Sequence, residues 1–172
     1  MRLAALGILA TLLVEHVARA DEDESPWKTS GFVIAAEGGY GLRMLYGVPV
    51  DTGVFQATIG ARYRWARFLL DGNYLSGRTR EGLAVSRWGI GTRFGVAVWR
   101  LRVSAGFDIG QITVTRTTST GGALQGSELS LLLRTDIDVV EWQHDGGVFV
   151  GLQLGGNDRL WGPSFLVGVR AF

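Results

Sequence analysis

The chain contains no cysteine, and this absence removes several classes of function at once. None of its 172 residues is Cys, which excludes a disulfide framework, a lipid-anchored amino-terminal cysteine and any thiolate nucleophile or metal ligand. His144 is the only histidine outside the first twenty residues. One histidine and dispersed carboxylates do not form a metal site, so we predict neither a metal nor another cofactor.

Lysine is almost absent as well. Lys28 is the single lysine beside sixteen arginines, and the formal net charge is +1. A soluble protein surface normally carries many Lys and Glu residues, which are scarce here. Because the charges nearly balance, no global field predicts a nucleic acid as partner.

The sequence also lacks an apolar run long enough for a membrane-spanning helix. Its longest apolar stretch, Leu3 to Val14, follows Arg2 and precedes Ala18-Arg19-Ala20. A short positive region, an apolar region and an A-x-A site are typical of a secretory leader. We predict a signal peptide over residues 1–20 with cleavage after Ala20, followed by a periplasmic segment over residues 21–29.

What the mature chain does contain is alternation of apolar and polar residues with a period of two, which indicates β-strands. The clearest segment is 54–65, where one face holds the apolar set Phe55, Ala57, Ile59, Ala61, Tyr63 and Trp65. Segment 101–111 repeats the pattern. Weaker alternation marks six more segments, 30–41, 68–75, 87–98, 128–139, 148–155 and 165–171. We therefore predict an all-β fold with eight antiparallel strands, forming an up-and-down transmembrane barrel over residues 30–172.

The predicted connections alternate in length. They are short around 65–67, 98–100 and 140–146, and long around 42–53, 76–86, 112–126 and 156–162. Outer-membrane barrels have short periplasmic turns and longer extracellular loops. This alternation predicts that both termini lie in the periplasm. Trp65, Trp99 and Trp142 fall at the short turns and Trp88 and Trp161 at the opposite end, as two interfacial aromatic girdles require.

The last eight residues, Phe165 to Phe172, alternate and end on an aromatic ring. This run is similar to the assembly signal read by the outer-membrane insertion machinery, with Phe165, Val167, Val169 and Phe172 as its residues. With it, the chain resembles the small OmpA/OmpX-type eight-stranded barrels over nearly all of its mature part. The resemblance implies an outer-membrane location, and we expect a monomer. Phe172 has the parity of Arg170, so we expect either a bulge near the end of the last strand or an inward terminal ring.

Periodicity alone leaves open which face points inward. A soluble, periplasmic, lipocalin-like carrier would turn the apolar face inward around an apolar ligand. The polar face is rich in Gly and Ser, which suits the narrow interior of an eight-stranded barrel. We therefore predict the membrane form, with the carrier as the alternative.

In the membrane form the polar face lines the lumen. Its predicted charges are six arginines and six carboxylates: Arg62, Arg64, Arg93, Arg102, Arg134 and Arg170 with Glu37, Asp71, Asp108, Glu128, Asp136 and Asp138. Matched charges indicate a lumen filled by ion pairs, because unpaired buried charges are costly. A selective pore favours an excess of one sign, so a narrow passive channel is the alternative.

The outer loops are the remaining candidate site. Guanidinium groups bind phosphate in bidentate fashion, so Arg78, Arg80 and Arg87 are candidate contacts for lipopolysaccharide. The Thr-rich stretch 113–122 predicts either a β-ribbon with an adhesive edge or a polar loop. His144 stands in a short turn with no serine nearby, which gives no nucleophile–base pair. We predict a non-enzymatic membrane scaffold or surface-interaction protein, with a lipid A-modifying enzyme as the weakest alternative.

Overall fold

The computed structural model describes residues 30–116, 122–141 and 146–171. The predicted signal peptide, the segment 21–29, the centre of the Thr-rich stretch, His144 and Phe172 lie outside the described residues. No helix within the described ranges is long and apolar enough to cross a membrane.

Eight antiparallel strands close into a barrel in which each strand pairs with its neighbour in sequence and β1 pairs with β8. The strands are β1 (Ser30–Leu45), β2 (Val48–Tyr63), β3 (Ala66–Thr79), β4 (Leu83–Val98), β5 (Leu101–Arg116), β6 (Ala123–Glu141), β7 (Gly147–Gly156) and β8 (Leu160–Ala171). Both ends of the described barrel, Ser30 and Ala171, lie at one end, together with the turns after β2, β4 and β6. We call this the terminal end and the opposite one the distal end. The predicted fold class is confirmed.

The burial pattern shows which face points inward. On β2, the Phe55 side chain is 54 % exposed on the outside, while the adjacent Gln56 is 1 % exposed in the interior. The same alternation runs along the whole of β8. The barrel thus has an apolar exterior and a polar interior, as a membrane barrel requires. The lipocalin-like alternative is wrong, because it needs the reverse arrangement.

The strands extend further towards the distal end than predicted. Residues 42–53, expected as a loop, belong to β1 and β2 except for the two-residue turn Tyr46-Gly47, where both residues have positive φ. The connections after β3 and β7 have three residues each, 80–82 and 157–159. The prediction of long loops there is wrong. On β2 and β3 the outward residues in this region are polar, with Asp51, Ser76 and Arg78, but the backbone ladder continues between the two strands.

The seam between β1 and β8 closes the barrel in a uniform register. At Gly39 a side chain would collide with the carbonyl oxygen of Phe165, so the close approach of the two strands requires glycine there. The described part of β8, through Ala171, pairs without a bulge. The ladder shifts instead between β6 and β7, at Asp138 and Val140.

Candidate functional site: a closed lumen and a polar distal surface

Buried polar and charged side chains from all eight strands line the lumen. One representative from each strand, in chain order, is Glu37, Gln56, Asp71, Arg93, Asp108, Arg134, Gln153 and Arg170. Each has the inward parity of its strand. The lumen is therefore organised by strand periodicity, and its chemistry depends on how these groups pair across the interior.

Arg134 on β6 makes the central cross-lumen contact. It is 2 % exposed and binds both carboxylate oxygens of Glu37 on β1, with Nη1 donating to Oε1 at 2.5 Å. Its Nε donates to Asp136 Oδ1 at 2.7 Å. Its guanidinium lies 5.6 Å from the ring centroid of Phe149. Bidentate pairing of this kind fixes both partners in orientation, so β1 and β6 are joined through the barrel interior.

A second pair joins β3 and β4. Arg93 donates from Nε to Asp71 Oδ2 at 2.5 Å and from Nη2 to Oδ1 at 2.6 Å. The hydroxyl of Thr58 donates to the same carboxylate at 2.6 Å. Both charges are almost fully buried, so their desolvation is offset by several directed hydrogen bonds.

Arg87 connects four strands nearer the distal end. It forms ion pairs with Asp108 and Glu128, and its Nη1 donates to Asn73 Oδ1 at 2.8 Å. Asn73 in turn donates to Asp108 Oδ2 at 2.9 Å. The prediction that Arg87 is a lipopolysaccharide contact is wrong: its side chain is 7 % exposed and lies in the lumen. Its parity on β4 matches that of Arg93, which is the signal that would have placed it there.

At the terminal end, Asp138 is paired with two arginines. Arg102 on β5 and Arg170 on β8 both form ion pairs with it. Arg170 also lies 5.1 Å from the centroid of the Phe149 ring. The Asp138 carboxylate is fully buried. Its two ion pairs connect β6 to β5 and to β8 at the terminal end of the lumen.

Ten of the twelve predicted lumen residues take part in these ion pairs. Arg62 is half-buried and has inward parity on β2. Arg64 does not belong to the lumen: it is exposed in the turn after β2 with φ of 53°, and it lies over the Tyr63 ring at 5.7 Å. The alternation ends where the turn begins, so parity no longer predicts its direction.

Two further arginines, which were predicted to lie outside the lumen, are buried inside it. Arg43 is 5 % exposed and donates to Gly162 O and Ser164 Oγ, each at 2.8 Å. Arg67 is equally buried on β3. Arg43 shares the parity of Glu37, and Arg67 shares that of Asp71. Parity would have found both, had the ends of the strands been known.

The lumen charges therefore do not match in number. Among the described residues, eight arginines have inward positions, Arg43, Arg62, Arg67, Arg87, Arg93, Arg102, Arg134 and Arg170. The inward carboxylates within the same ranges are the six predicted ones. The described interior therefore carries two more positive than negative charges, whereas equal numbers were predicted.

Apolar side chains pack in the distal part of the lumen, at the level of Arg87 and beyond it. The cluster consists of eight buried residues in the distal half of the barrel: Leu45, Val50, Val54, Leu75, Val85, Ile112, Leu160 and Leu166. Below it, a cavity of about 30 Å³ is bordered by Arg43, Asn73, Arg87 and Gln153, with room for one or two water molecules. Ion pairs and this cluster fill the interior.

The outer surface changes character along β3, β4 and β5. Tyr74 and Trp88 are exposed cross-strand partners, as expected of an aromatic girdle. Two residues further towards the distal end stand Ser76 and Ser86, and then Arg78 opposite Ala84. A depression of about 330 Å³ lies here, lined by Ser76, Gly77, Arg78, Ala84, Val85, Ser86 and Thr115. Arg78 and Arg80 are both exposed, so guanidinium and hydroxyl groups lie directly above the girdle.

The last strand presents its apolar residues to the outside. Phe165, Val167 and Val169 are each about half exposed on the outer face of β8.

Within the described part of the chain, no group of three or more His, Cys, Asp or Glu residues is placed to hold a metal ion.

Comparisons with known proteins place this geometry among solved barrels. No family model and no curated protein matches the chain. Neisserial surface protein A is similar at a TM-score of 0.56 and 12 % identity, over 83 % of this chain and 97 % of that one. Ail, the attachment invasion locus protein of Yersinia pestis, in complex with the heparin analogue sucrose octasulfate, is similar at 0.55 and 8 %, over 83 % and 99 %.

The amino-terminal barrel domain of Pseudomonas aeruginosa OprF is similar at a TM-score of 0.52 and 11 % identity, over 80 % of this chain and 97 % of that one. At these identities the likeness concerns the fold alone. All three are small eight-stranded outer-membrane β-barrels. The chain therefore has the architecture of the small OmpA/OmpX-type outer-membrane β-barrels.

Proposed function

We propose that this protein is a non-conducting outer-membrane barrel that serves as a membrane scaffold or binds other molecules through its distal surface. The observation that carries the proposal is the closed interior, in which arginine–carboxylate pairs cross the lumen and an apolar cluster fills it at the level of Arg87 and beyond. Because a filled lumen leaves no water-filled path for ions, the function of such a barrel lies on its outer surface and its distal end. The predicted leader and the solved neighbours support the outer membrane as its location.

In this proposal the terminal end faces the periplasm and the distal end faces the outside. This orientation follows the prediction that both ends of the barrel lie in the periplasm, and it places the longest connection, residues 117–122 between β5 and β6, on the extracellular side, where such barrels have their longer loops. The outer face of β8, with Phe165, Val167 and Val169, serves the insertion machinery together with Phe172, and the barrel acts as a monomer. We infer no enzymatic role, because His144, in the connection between β6 and β7, belongs to the periplasmic side.

Lipopolysaccharide phosphates are the ligands that the distal surface fits best. Arg78 lies on the distal side of the Tyr74–Trp88 girdle and borders the same depression as Ser76 and Ser86. Arg80 is exposed in the connection that follows β3. Guanidinium groups bind phosphate oxygens through paired hydrogen bonds. Sucrose octasulfate on Ail is likewise a sugar carrying dense anionic groups, which supports a polyanionic sugar as the class of ligand.

Replacing Arg78 and Arg80 by Gln tests this contact. We expect lipopolysaccharide retained by the purified barrel to fall several-fold, because two charge-assisted contacts are lost. The matched control is R64Q/R100Q, which removes two exposed arginines at the terminal end. Equal retention by the test variant and the control would refute the contact.

Planar-bilayer recording tests the closed lumen. We expect no reproducible single-channel conductance from the wild-type protein, because the buried ion pairs are too costly to break for ion passage. The excess of two arginines favours an anion-selective channel as the second candidate function. A reproducible conductance that prefers anions would establish that candidate and overturn the closed barrel.

A further inference from the structure

Two adjoining turns at the terminal end each combine an arginine with an aromatic residue. The turn after β2 is Arg64-Trp65, and the turn after β4 is Trp99-Arg100. The backbone N–H of Ala97, two residues before the second turn, donates to the carbonyl oxygen of Trp65 at 2.8 Å, so the two turns lie next to each other. We call Arg64 and Arg100 the turn arginines.

Each turn arginine is exposed and lies against the ring of the residue before it. The Cζ atom of Arg64 is 5.7 Å from the centroid of the Tyr63 ring, and that of Arg100 is 5.3 Å from the centroid of the Trp99 ring. At such distances the face of an aromatic ring attracts a guanidinium group. The rings therefore hold both cations at the depth where exposed Tyr and Trp side chains meet the headgroups of a bilayer.

The turn arginines have hydrogen-bond donors available for an external anion. The guanidinium of Arg64 forms no hydrogen bond or ion pair within the described residues. The Nε atom of Arg100 lies 3.9 Å from Oε2 of Glu141, which is also exposed, and this distance is longer than a hydrogen bond. Exposed pairs of this kind are weak. Both arginines can therefore direct N–H donors to a group outside the barrel.

An apolar aromatic pair adjoins the turn arginines on the outer face. Phe68 on β3 and Phe94 on β4 are cross-strand partners, and their ring centroids are 4.9 Å apart. Both side chains are exposed. Because β3 begins directly after the first turn and β4 ends directly before the second, the pair lies on the mid-barrel side of both turns. The surface is thus cationic at the end of the barrel and apolar next to it.

We propose that the turn arginines bind the phosphate of an anionic phospholipid whose acyl chains cover Phe68 and Phe94, a site that rests on the membrane location proposed above. Guanidinium groups bind phosphate oxygens through paired, charge-assisted hydrogen bonds. Two neighbouring cations favour a headgroup of net negative charge over a zwitterionic one, because they repel its ammonium group. A free phosphate ion would contact the arginines alone, whereas a phospholipid also covers the apolar pair. In the proposed orientation this site belongs to the periplasmic leaflet.

Native mass spectrometry of the mature protein in detergent micelles that contain phosphatidylglycerol and phosphatidylcholine tests the site. The two phospholipids are given the same acyl chains, so they differ only in the headgroup. The wild-type protein is expected to retain phosphatidylglycerol in preference to phosphatidylcholine. R64Q/R100Q is expected to retain several-fold less phosphatidylglycerol, because two charge-assisted contacts are lost, and to lose the preference.

The matched control is R116Q/R159Q, which removes the same charge from the distal end, at the end of β5 and in the connection before β8. It is expected to retain phosphatidylglycerol as the wild type does. Equal losses from the two double variants would show a diffuse charge effect and overturn the site. Undiminished retention by R64Q/R100Q would also overturn it, and would leave a soluble acidic protein of the periplasm as the partner of these arginines.

The distal contact is tested separately from this site. R64Q/R100Q is expected to lose phosphatidylglycerol but to keep lipopolysaccharide, which distinguishes the two sources of phosphate. If R78Q/R80Q keeps lipopolysaccharide while R64Q/R100Q loses phosphatidylglycerol, the distal contact is refuted and the phospholipid site stands. If R64Q/R100Q loses both lipids to the same extent, the assignment of the turn arginines to phospholipid is refuted.

Discussion

At the scale of single residues, the interior depends on pairs whose partners are far apart in sequence. Glu37 and Arg134 belong to strands on different sides of the barrel, and both side chains are 1 % exposed. Arg100 and Glu141 lie 3.9 Å apart and are nearly half exposed. The two pairs differ in solvent access, and this difference decides what each contributes to stability.

Replacing Arg134 by Gln is expected to lower the free energy of unfolding by about 3–5 kcal/mol, because Glu37 would remain as a buried charge without its partner. The matched variant R100Q is expected to change it by about 0–1 kcal/mol, since exposed pairs are weak. Urea titration of the barrel in detergent micelles measures both. In the double variant E37Q/R134Q, part of the lost free energy of unfolding is expected to be recovered, because no buried charge is left without a partner. A loss in R134Q no larger than in R100Q would show that the buried pair does not support the barrel.

At the scale of elements, each strand serves two environments at once. β8 presents Phe165, Val167 and Val169 to the membrane, while Ser164, Leu166 and Arg170 line the interior. Val167 stands about midway between Trp161 near the distal end and Ala171 at the terminal end. An outward residue at that depth is surrounded by hydrocarbon in a membrane barrel.

Placing an arginine at Val167 is expected to destabilise the barrel by about 2–4 kcal/mol, the cost of a guanidinium near the bilayer midplane. V167L keeps an apolar side chain at the same site and is the control. Unfolding in lipid vesicles measures the difference. Similar stabilities of V167R and V167L would mean that this face of β8 does not contact lipid.

At the scale of the whole molecule, closure leaves no pairing edge between β1 and β8. Every strand has a neighbour on both sides, and cross-lumen ion pairs tie opposite walls together. Closed barrels have no free edges from which detergent-induced unfolding or aggregation can begin. We therefore expect the barrel to unfold cooperatively.

Electrophoresis in SDS is therefore expected to give different mobilities for unboiled and boiled samples of the mature protein. The unboiled barrel keeps its compact form, and heating releases an extended chain. A disrupted-lumen variant, R134Q/R93Q, is expected to shift at a lower temperature because two buried pairs are broken. Identical mobilities before and after boiling, with protein that stays soluble without detergent, would contradict a membrane barrel.

The sequence by itself determined the number of strands, their order and the direction of most side chains. Alternation is a local property, and in a strand it dictates the face of every residue, as Phe55 and Gln56 or Val167 and Arg170 illustrate. An even number of strands in an up-and-down ring also places both ends of the barrel together.

Only the tertiary structure decided where strands end and which charges meet. Arg43 was assigned to a loop and Arg87 to the outer end of the predicted segment 87–98, but the strands extend further towards the distal end and keep both side chains inside. Arg64 left the lumen because a turn with positive φ interrupts the alternation. The pairing of Arg134 with Glu37, 97 positions apart, depends on ring closure and on register, and neither is encoded in any local pattern.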